Sequence, residues 1–143
     1  MKKIVVINGP NLNFLGIREK SVYGQKNYKD LVKMIEHKAQ EKQVAIDVYQ
    51  SNHEGHIIDR IQQCYEDQVD AIIINPGAYT HYSYAIRDAI ASVNIKTIEV
   101  HISNIYEREP FRHVSVIKPV CCKQIYGKGL EGYLLAIDDA MCL

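Results

Sequence analysis

The sequence predicts an α/β fold, a flavodoxin-like three-layer sandwich built on a five-stranded parallel sheet of order 2-1-3-4-5. Three observations carry that expectation. Short β-rich runs recur along the chain with helical patterns between them. One run, Ala71-Ile72-Ile73-Ile74, is apolar without alternation, as in a central strand covered on both faces. The length of 143 residues suits one domain over residues 1–143 and is too short for an eight-stranded barrel. Right-handed crossovers then favour a doubly wound sheet.

Strands are expected at residues 3–8, 44–50, 71–75, 96–101 and 114–118. The intervening segments change period. Leu31, Met34, Ile35 and Ala39 fall on one helical face, as do Ile57, Ile58, Ile61, Cys64 and Tyr65. Ala85, Ile86, Ala89, Ile90 and Val93 form a third stripe, and Leu130, Leu134, Ile137, Ala140 and Met141 a fourth. Residues 16–27 make a polar segment bounded by glycines, longer than the usual 2–6 residues of a βα connection, and so a candidate lid.

Composition excludes several function classes. Hydrophobic residues make up 47% and charged residues 24%, which is globular composition. Lys+Arg and Asp+Glu are both 17, so the chain lacks the overall positive field of a dedicated nucleic-acid binder. No apolar run nears the ~20 residues that span a bilayer. The run Ile4-Val5-Val6-Ile7 after Met1-Lys2-Lys3 stops at Asn8-Gly9-Pro10, too soon for a signal peptide. The expectation is a soluble, cytoplasmic protein with neither a nucleic-acid nor a membrane partner. Cys64, Cys121, Cys122 and Cys142 form no C-x-x-C pair and fit a reducing compartment.

Ligands of an open parallel sheet bind outside the carboxyl ends of its strands. The first four strands end in Asn8-Gly9-Pro10-Asn11-Leu12-Asn13, Ser51-Asn52-His53-Glu54-Gly55, Asn75-Pro76-Gly77-Ala78-Tyr79-Thr80-His81 and Glu99-Val100-His101-Ile102-Ser103-Asn104. Asn, His and Ser donate and accept, which suits hydroxyl groups. Arg108 and Arg112 follow, and a guanidinium fork matches a carboxylate. Backbone N–H groups at Ile102 and Ser103 add donors if they open a turn. The site so composed favours a small, hydroxylated anion. Dinucleotide and P-loop glycine motifs are missing, and Asn8 and Asn75 stand where a phosphorelay receiver needs acids. His53-x-x-His56 is a metal pair without a persuasive third ligand.

On these motifs, with Gly16-Ile17-Arg18, Tyr23-Gly24, Arg108-Glu109-Pro110-Phe111-Arg112 and Gly129…Gly132-Tyr133, the sequence resembles the type II 3-dehydroquinate dehydratases along essentially its whole length. The resemblance implies removal of water from 3-dehydroquinate to give 3-dehydroshikimate in aromatic amino-acid biosynthesis. It implies no metal, no organic cofactor, and a homo-oligomer of trimers assembled into a dodecamer. By position, Tyr23 is the implied base, Arg18 its activator and His101 the general acid, while Asn11 helps hold the enolate. Asn75, His81, Ile102, Ser103 and Arg112 are the implied substrate ligands, and Asp88 matches a position that reaches a neighbouring subunit's substrate. Glu99, two residues before His101 on one strand, shares its face and is placed to orient or charge it.

The chemistry is coherent. A guanidinium beside a tyrosine favours the phenolate, which a free phenol of pKa ~10 rarely forms at neutral pH. Hydroxide leaves poorly, so an acid such as His101 must protonate it. The sequence departs from the family pattern at Phe14, His56, Tyr82 and Tyr106; Phe14 and Tyr82 are candidates for reshaping the pocket. Each residue also has an ordinary reading: a surface loop for Arg18 and Tyr23, a helix opened by Thr80 and His81, a core histidine for His101, turn residues for Asn11 and Asn75. Two other functions remain open at this level. One is a non-catalytic small-carboxylate-binding module of the same fold. The other is a Schiff-base lyase on Lys118 or Lys123, the only lysines expected near a strand's carboxyl end.

Overall fold

The computed structural model of the protein describes residues 1–17 and 25–143. Five strands form one parallel sheet: β1 (Lys3–Asn8), β2 (Ala45–Gln50), β3 (Ala71–Asn75), β4 (Lys96–Val100) and β5 (Lys123–Ile125). Their order is β2-β1-β3-β4-β5, with β1 and β3 aligned from Ile4↔Ala71 to Asn8↔Asn75. Among the described residues three helices cross between strands, α1 (Tyr28–Lys42), α2 (Glu54–Glu66) and α3 (Tyr84–Val93), and a fourth, α4 (Glu131–Met141), follows β5.

The two-residue period of the strands divides the core into two layers. Ile4 and Val6 of β1 and Ala71 and Ile73 of β3 pack with Leu31, Ile35 and Ala39 of α1 and Tyr133, Ala136 and Ile137 of α4. The alternate residues, Val5, Ile7, Ile72 and Ile74, pack with Ile57, Ile61 and Cys64 of α2 and Ile86, Ala89 and Ile90 of α3. The helical stripes are therefore mostly as the sequence predicts. Tyr65 and Ala85 are the exceptions, both turned to solvent at the edge of their stripes.

Side chains set the helix starts. Asn27 Oδ1 accepts from the Asp30 N–H at 2.9 Å while Asp30 Oδ2 accepts from the Asn27 N–H at 3.0 Å, a reciprocal cap on α1. Ser83 Oγ accepts from the Ile86 N–H at 3.1 Å and starts α3 at Tyr84. The third crossover helix is thus not opened by Thr80 and His81, which close a 3-10 turn over Gly77–His81.

The fifth strand is displaced from its expected place. Residues 114–118 are not a strand. Val116 and Ile117 are apolar because they fill the core layer under α2 and α3, and Pro119 lies in a short 3-10 turn over Lys118–Val120. The real edge strand, Lys123-Gln124-Ile125, has one buried residue and no apolar run to announce it. Lys123 therefore begins a strand, paired with Asp139 at 2.6 Å, and neither lysine of the Schiff-base reading sits at a strand's carboxyl end.

Candidate active site

The carboxyl ends of β1 and β3 meet through glycine. Gly9 N–H donates to the Asn75 carbonyl at 2.8 Å, and a Cβ on Gly9 would stand 2.4 Å from the Pro76 carbonyl oxygen. Only glycine permits that approach. Below it lies a buried polar triad. Tyr133 Oη donates to Asn8 Oδ1 at 2.6 Å and accepts from Asn75 Nδ2 at 2.9 Å. Asn75 Oδ1 accepts from the Gly77 N–H at 3.2 Å, so both ends of that amide are held. Asn11 takes a left-handed conformation, φ 70°, and its N–H donates to Asn52 Oδ1 at 3.0 Å.

Above these strand ends is a cavity of about 120 Å³, lined by Asn11, Asn75, His81, His101, Ile102, Ser103 and both Arg108 and Arg112, among others. The Ile102 and Ser103 carbonyls accept from Gly129 and Gly127, both at 3.0 Å, which ties this cavity-lining turn to the segment before α4. Arg112 Nε lies 3.0 Å and Arg108 Nε 3.8 Å from Glu109 Oε1, so one exposed carboxylate steadies both guanidinium groups.

His101 is the chemical centre. Its Nε2 lies 2.5 Å from Glu99 Oε2, and since a carboxylate only accepts, Nε2 carries that proton. Nδ1 is left as the exchangeable site. Glu99 is fully buried, and the same oxygen also accepts from Ser115 Oγ at 2.8 Å and Gln124 Nε2 at 3.0 Å. Burial alone would raise its pKa, but the His101 contact and these two donors hold the carboxyl below its usual range. The other oxygen, Oε1, is buried with no hydrogen-bond partner among the described residues. His81 donates from Nδ1 to the Val114 carbonyl at 2.7 Å. Burial is the main cause of its lowered pKa, with the charges of His101 and Arg112 acting in the same direction.

Seven sequence-predicted residues thus share one cavity or its wall: Asn11, Asn75, His81, His101, Ile102, Ser103 and Arg112, with Glu99 directly behind His101. Asp88 does not join them. It is exposed on α3, outside the cavity. Arg18 and Tyr23 lie outside the described residues. The two stems of their segment do meet, for a Cβ on Gly16 would stand 2.8 Å from the Lys26 carbonyl oxygen. Phe14 and Tyr82 are exposed and do not line the cavity. His53 and His56 touch edge to face at 4.9 Å, and no third donor joins them among the described residues.

Sequence reasoning missed the supports of the site: Ser115, Gln124 and the polar role of Tyr133. Their signal is register and burial, neither of which is local. Parallel pairing sets Glu99 opposite Gln124, whereas the sequence places the fifth strand elsewhere.

A model of the family described as class II dehydroquinase matches residues 2–141. A 3-dehydroquinate dehydratase of Lachnoclostridium phytofermentans is 67% identical over 136 residues, covering 95% of this chain and 94% of the relative. The crystal structure of the type II dehydroquinase of Butyrivibrio crossotus superposes with a TM-score of 0.97 at 64% identity, covering 98% of this chain and 97% of that one. That of Propionibacterium acnes gives 0.94 at 40% identity, covering 99% and 97%. With fold, strand-end chemistry and full-length similarity in agreement, the chain belongs to the class II dehydroquinase family.

Proposed function

We propose that the protein is a type II 3-dehydroquinate dehydratase, a hydro-lyase of the shikimate pathway that forms 3-dehydroshikimate through an enolate. The observation that carries this reading is the buried Glu99–His101 pair at the wall of a cationic, donor-rich cavity.

The substrate carboxylate sits on the Ile102 and Ser103 N–H groups in the field of Arg108 and Arg112, and Asn75 and His81 meet its hydroxyls. Tyr23, held as phenolate by Arg18, takes the proton from the carbon next to the ketone. The electron pair moves into the carbonyl to form the enolate, and Asn11 holds a water against that oxygen. The enolate then collapses, the C–O bond breaks, and His101 delivers the proton that turns the departing hydroxide into water. Glu99 stabilises and orients the imidazolium. Gly16 and Lys26 lie close together at the base of the segment that carries Arg18 and Tyr23.

Assembly follows the same reading. Tyr84 and Asp88 share one face of α3, and Phe111 and Val114 are exposed beside His81. A second copy covering this apolar face would carry Asp88 toward a neighbour's substrate, in trimers that build a dodecamer. All four cysteines are free, in keeping with a cytoplasmic enzyme.

Incubation with 3-dehydroquinate, followed by absorbance of the conjugated enone, tests the activity. His101→Asn should abolish turnover and Tyr23→Phe should do the same with little loss of stability. Binding without product, read by mass spectrometry of the ligand, would instead support the non-catalytic module.

A further inference from the structure

We propose that Gln124, locked in orientation by Tyr106, is a positioning residue that keeps the Glu99 carboxylate turned toward His101. The inference rests on the dehydratase reading of that pair.

The register of the sheet sets it up. Glu99 of β4 and Gln124 of β5 are parallel partners, so their side chains leave the sheet on one face. Gln124 Nε2 donates to Glu99 Oε2 at 3.0 Å. An ionised carboxylate only accepts, so the amide nitrogen must face Glu99 and the amide oxygen must face away. That oxygen meets Tyr106 Oη at 2.8 Å, and the phenol is therefore the donor. The direction of each hydrogen bond is settled from the surface inward: Tyr106 O–H to Gln124 Oε1, Gln124 N–H to Glu99 Oε2, and His101 Nε2–H to the same oxygen.

Tyr106 is itself braced. Its N–H donates to Asn104 Oδ1 at 3.0 Å, and its ring meets Tyr126 edge to face at 4.9 Å. Ser115 adds a third donor to Glu99 Oε2. All three donors converge on one oxygen while the buried Oε1 has no hydrogen-bond partner among the described residues, so the direction of the carboxylate is set by the donors to Oε2. Neither Tyr106 nor Gln124 lines the cavity. Among the described residues, the ionisable groups whose charge interacts with that of Glu99 are His101 beside it, His81 from the turn after β3 and Cys121 from the segment before β5.

Two variants of the assembled enzyme test this. Gln124→Met keeps the length of the side chain and removes the donor. Tyr106→Phe keeps the ring and its stacking and removes only the hydroxyl. The readouts are kcat, KM, and the Glu99 carboxyl titration by carbon-13 NMR. Losing a donor to the carboxylate raises the pH at which Glu99 takes a proton, so Gln124→Met should move the carboxyl midpoint up by about one unit and lower kcat about tenfold as the carboxylate loses its hold on His101. Tyr106→Phe should do both by less, and KM should stay within about twofold in each variant. An unmoved carboxyl midpoint in Tyr106→Phe and Gln124→Met overturns the proposal, as does a raised KM with an unmoved kcat. Should Gln124→Met fail to fold, Tyr106→Phe decides alone. Should the parent protein fail to turn over 3-dehydroquinate, the dehydratase reading fails, and the carboxyl titration alone decides the relay.

Discussion

Replacing Tyr133 by Phe removes one oxygen atom from the centre of the molecule. Tyr133 and Asn8 are 0% exposed and Asn75 is 4% exposed. The hydroxyl donates to Asn8 Oδ1 at 2.6 Å and accepts from Asn75 Nδ2 at 2.9 Å, so its loss leaves one acceptor and one donor unmatched in the core. Each such group costs about 1–3 kcal/mol. Part of this is offset because the neutral phenol no longer has to be stripped of water on folding. The net destabilisation should be about 2–4 kcal/mol, and a melting point lower by roughly 10 °C for a chain of this size. Urea unfolding at fixed protein concentration, with calorimetry alongside, measures it. KM should rise a few-fold as the Asn75 amide loses its anchor. Tyr28→Phe is the internal comparison. Its oxygen accepts from Asn8 Nδ2 at 3.3 Å in a partly buried place, so less than about 1 kcal/mol should be lost. A Tyr133→Phe variant within about 0.5 kcal/mol of the parent would refute the reasoning.

Four further outcomes follow from the same geometry. Gly9→Ala should prevent soluble folding, read by circular dichroism, because its Cβ would meet the Pro76 carbonyl oxygen at 2.4 Å with backbone on both sides. Gly55→Ala should stabilise α2 by up to about 0.5–1 kcal/mol in urea titrations, since nothing lies within 4 Å of the added methyl. Arg112→Ala should lower kcat/KM about 10²-fold, mainly through KM, if the guanidinium binds substrate in the cavity it lines. Stability should depend on pH in two windows. His81 and Glu99 both titrate below their ordinary values of 6.5 and 4.5 when folded. The unfolded chain therefore binds more protons, and the stability each contributes is complete above its ordinary value and is lost as pH falls through its folded value. Denaturant midpoints should start to fall below about pH 6.5, then again below about 4.5, and His81→Asn should remove the first decline.

Much of the site was legible because it is written at strand ends. Asn8-Gly9-Pro10 and Asn75-Pro76-Gly77 carry their polar groups at the carboxyl ends of two central strands, whose apolar runs are plain to read. His101 and Glu99 are two residues apart, so strand period alone brings them to one face. The illegible parts are those that depend on non-local pairing. Residues 114–118 have the composition of a strand, yet Val116 and Ile117 use it to fill a core layer. Gln124 looks like a surface polar residue until register sets it beside Glu99.

Sequence by itself determined the layers, the strand order and the end of the sheet where chemistry collects, because periodicity and crossover handedness are properties of short segments and their succession. Only the tertiary structure decided which side chains hold His101 and Asn75 in place. Ser115, Gln124 and Tyr133 reach Glu99, Asn8 and Asn75 across separations of up to 125 residues. A contact of that kind exists only after the sheet has set its register and the helices have closed over it, which is why no local pattern announces it.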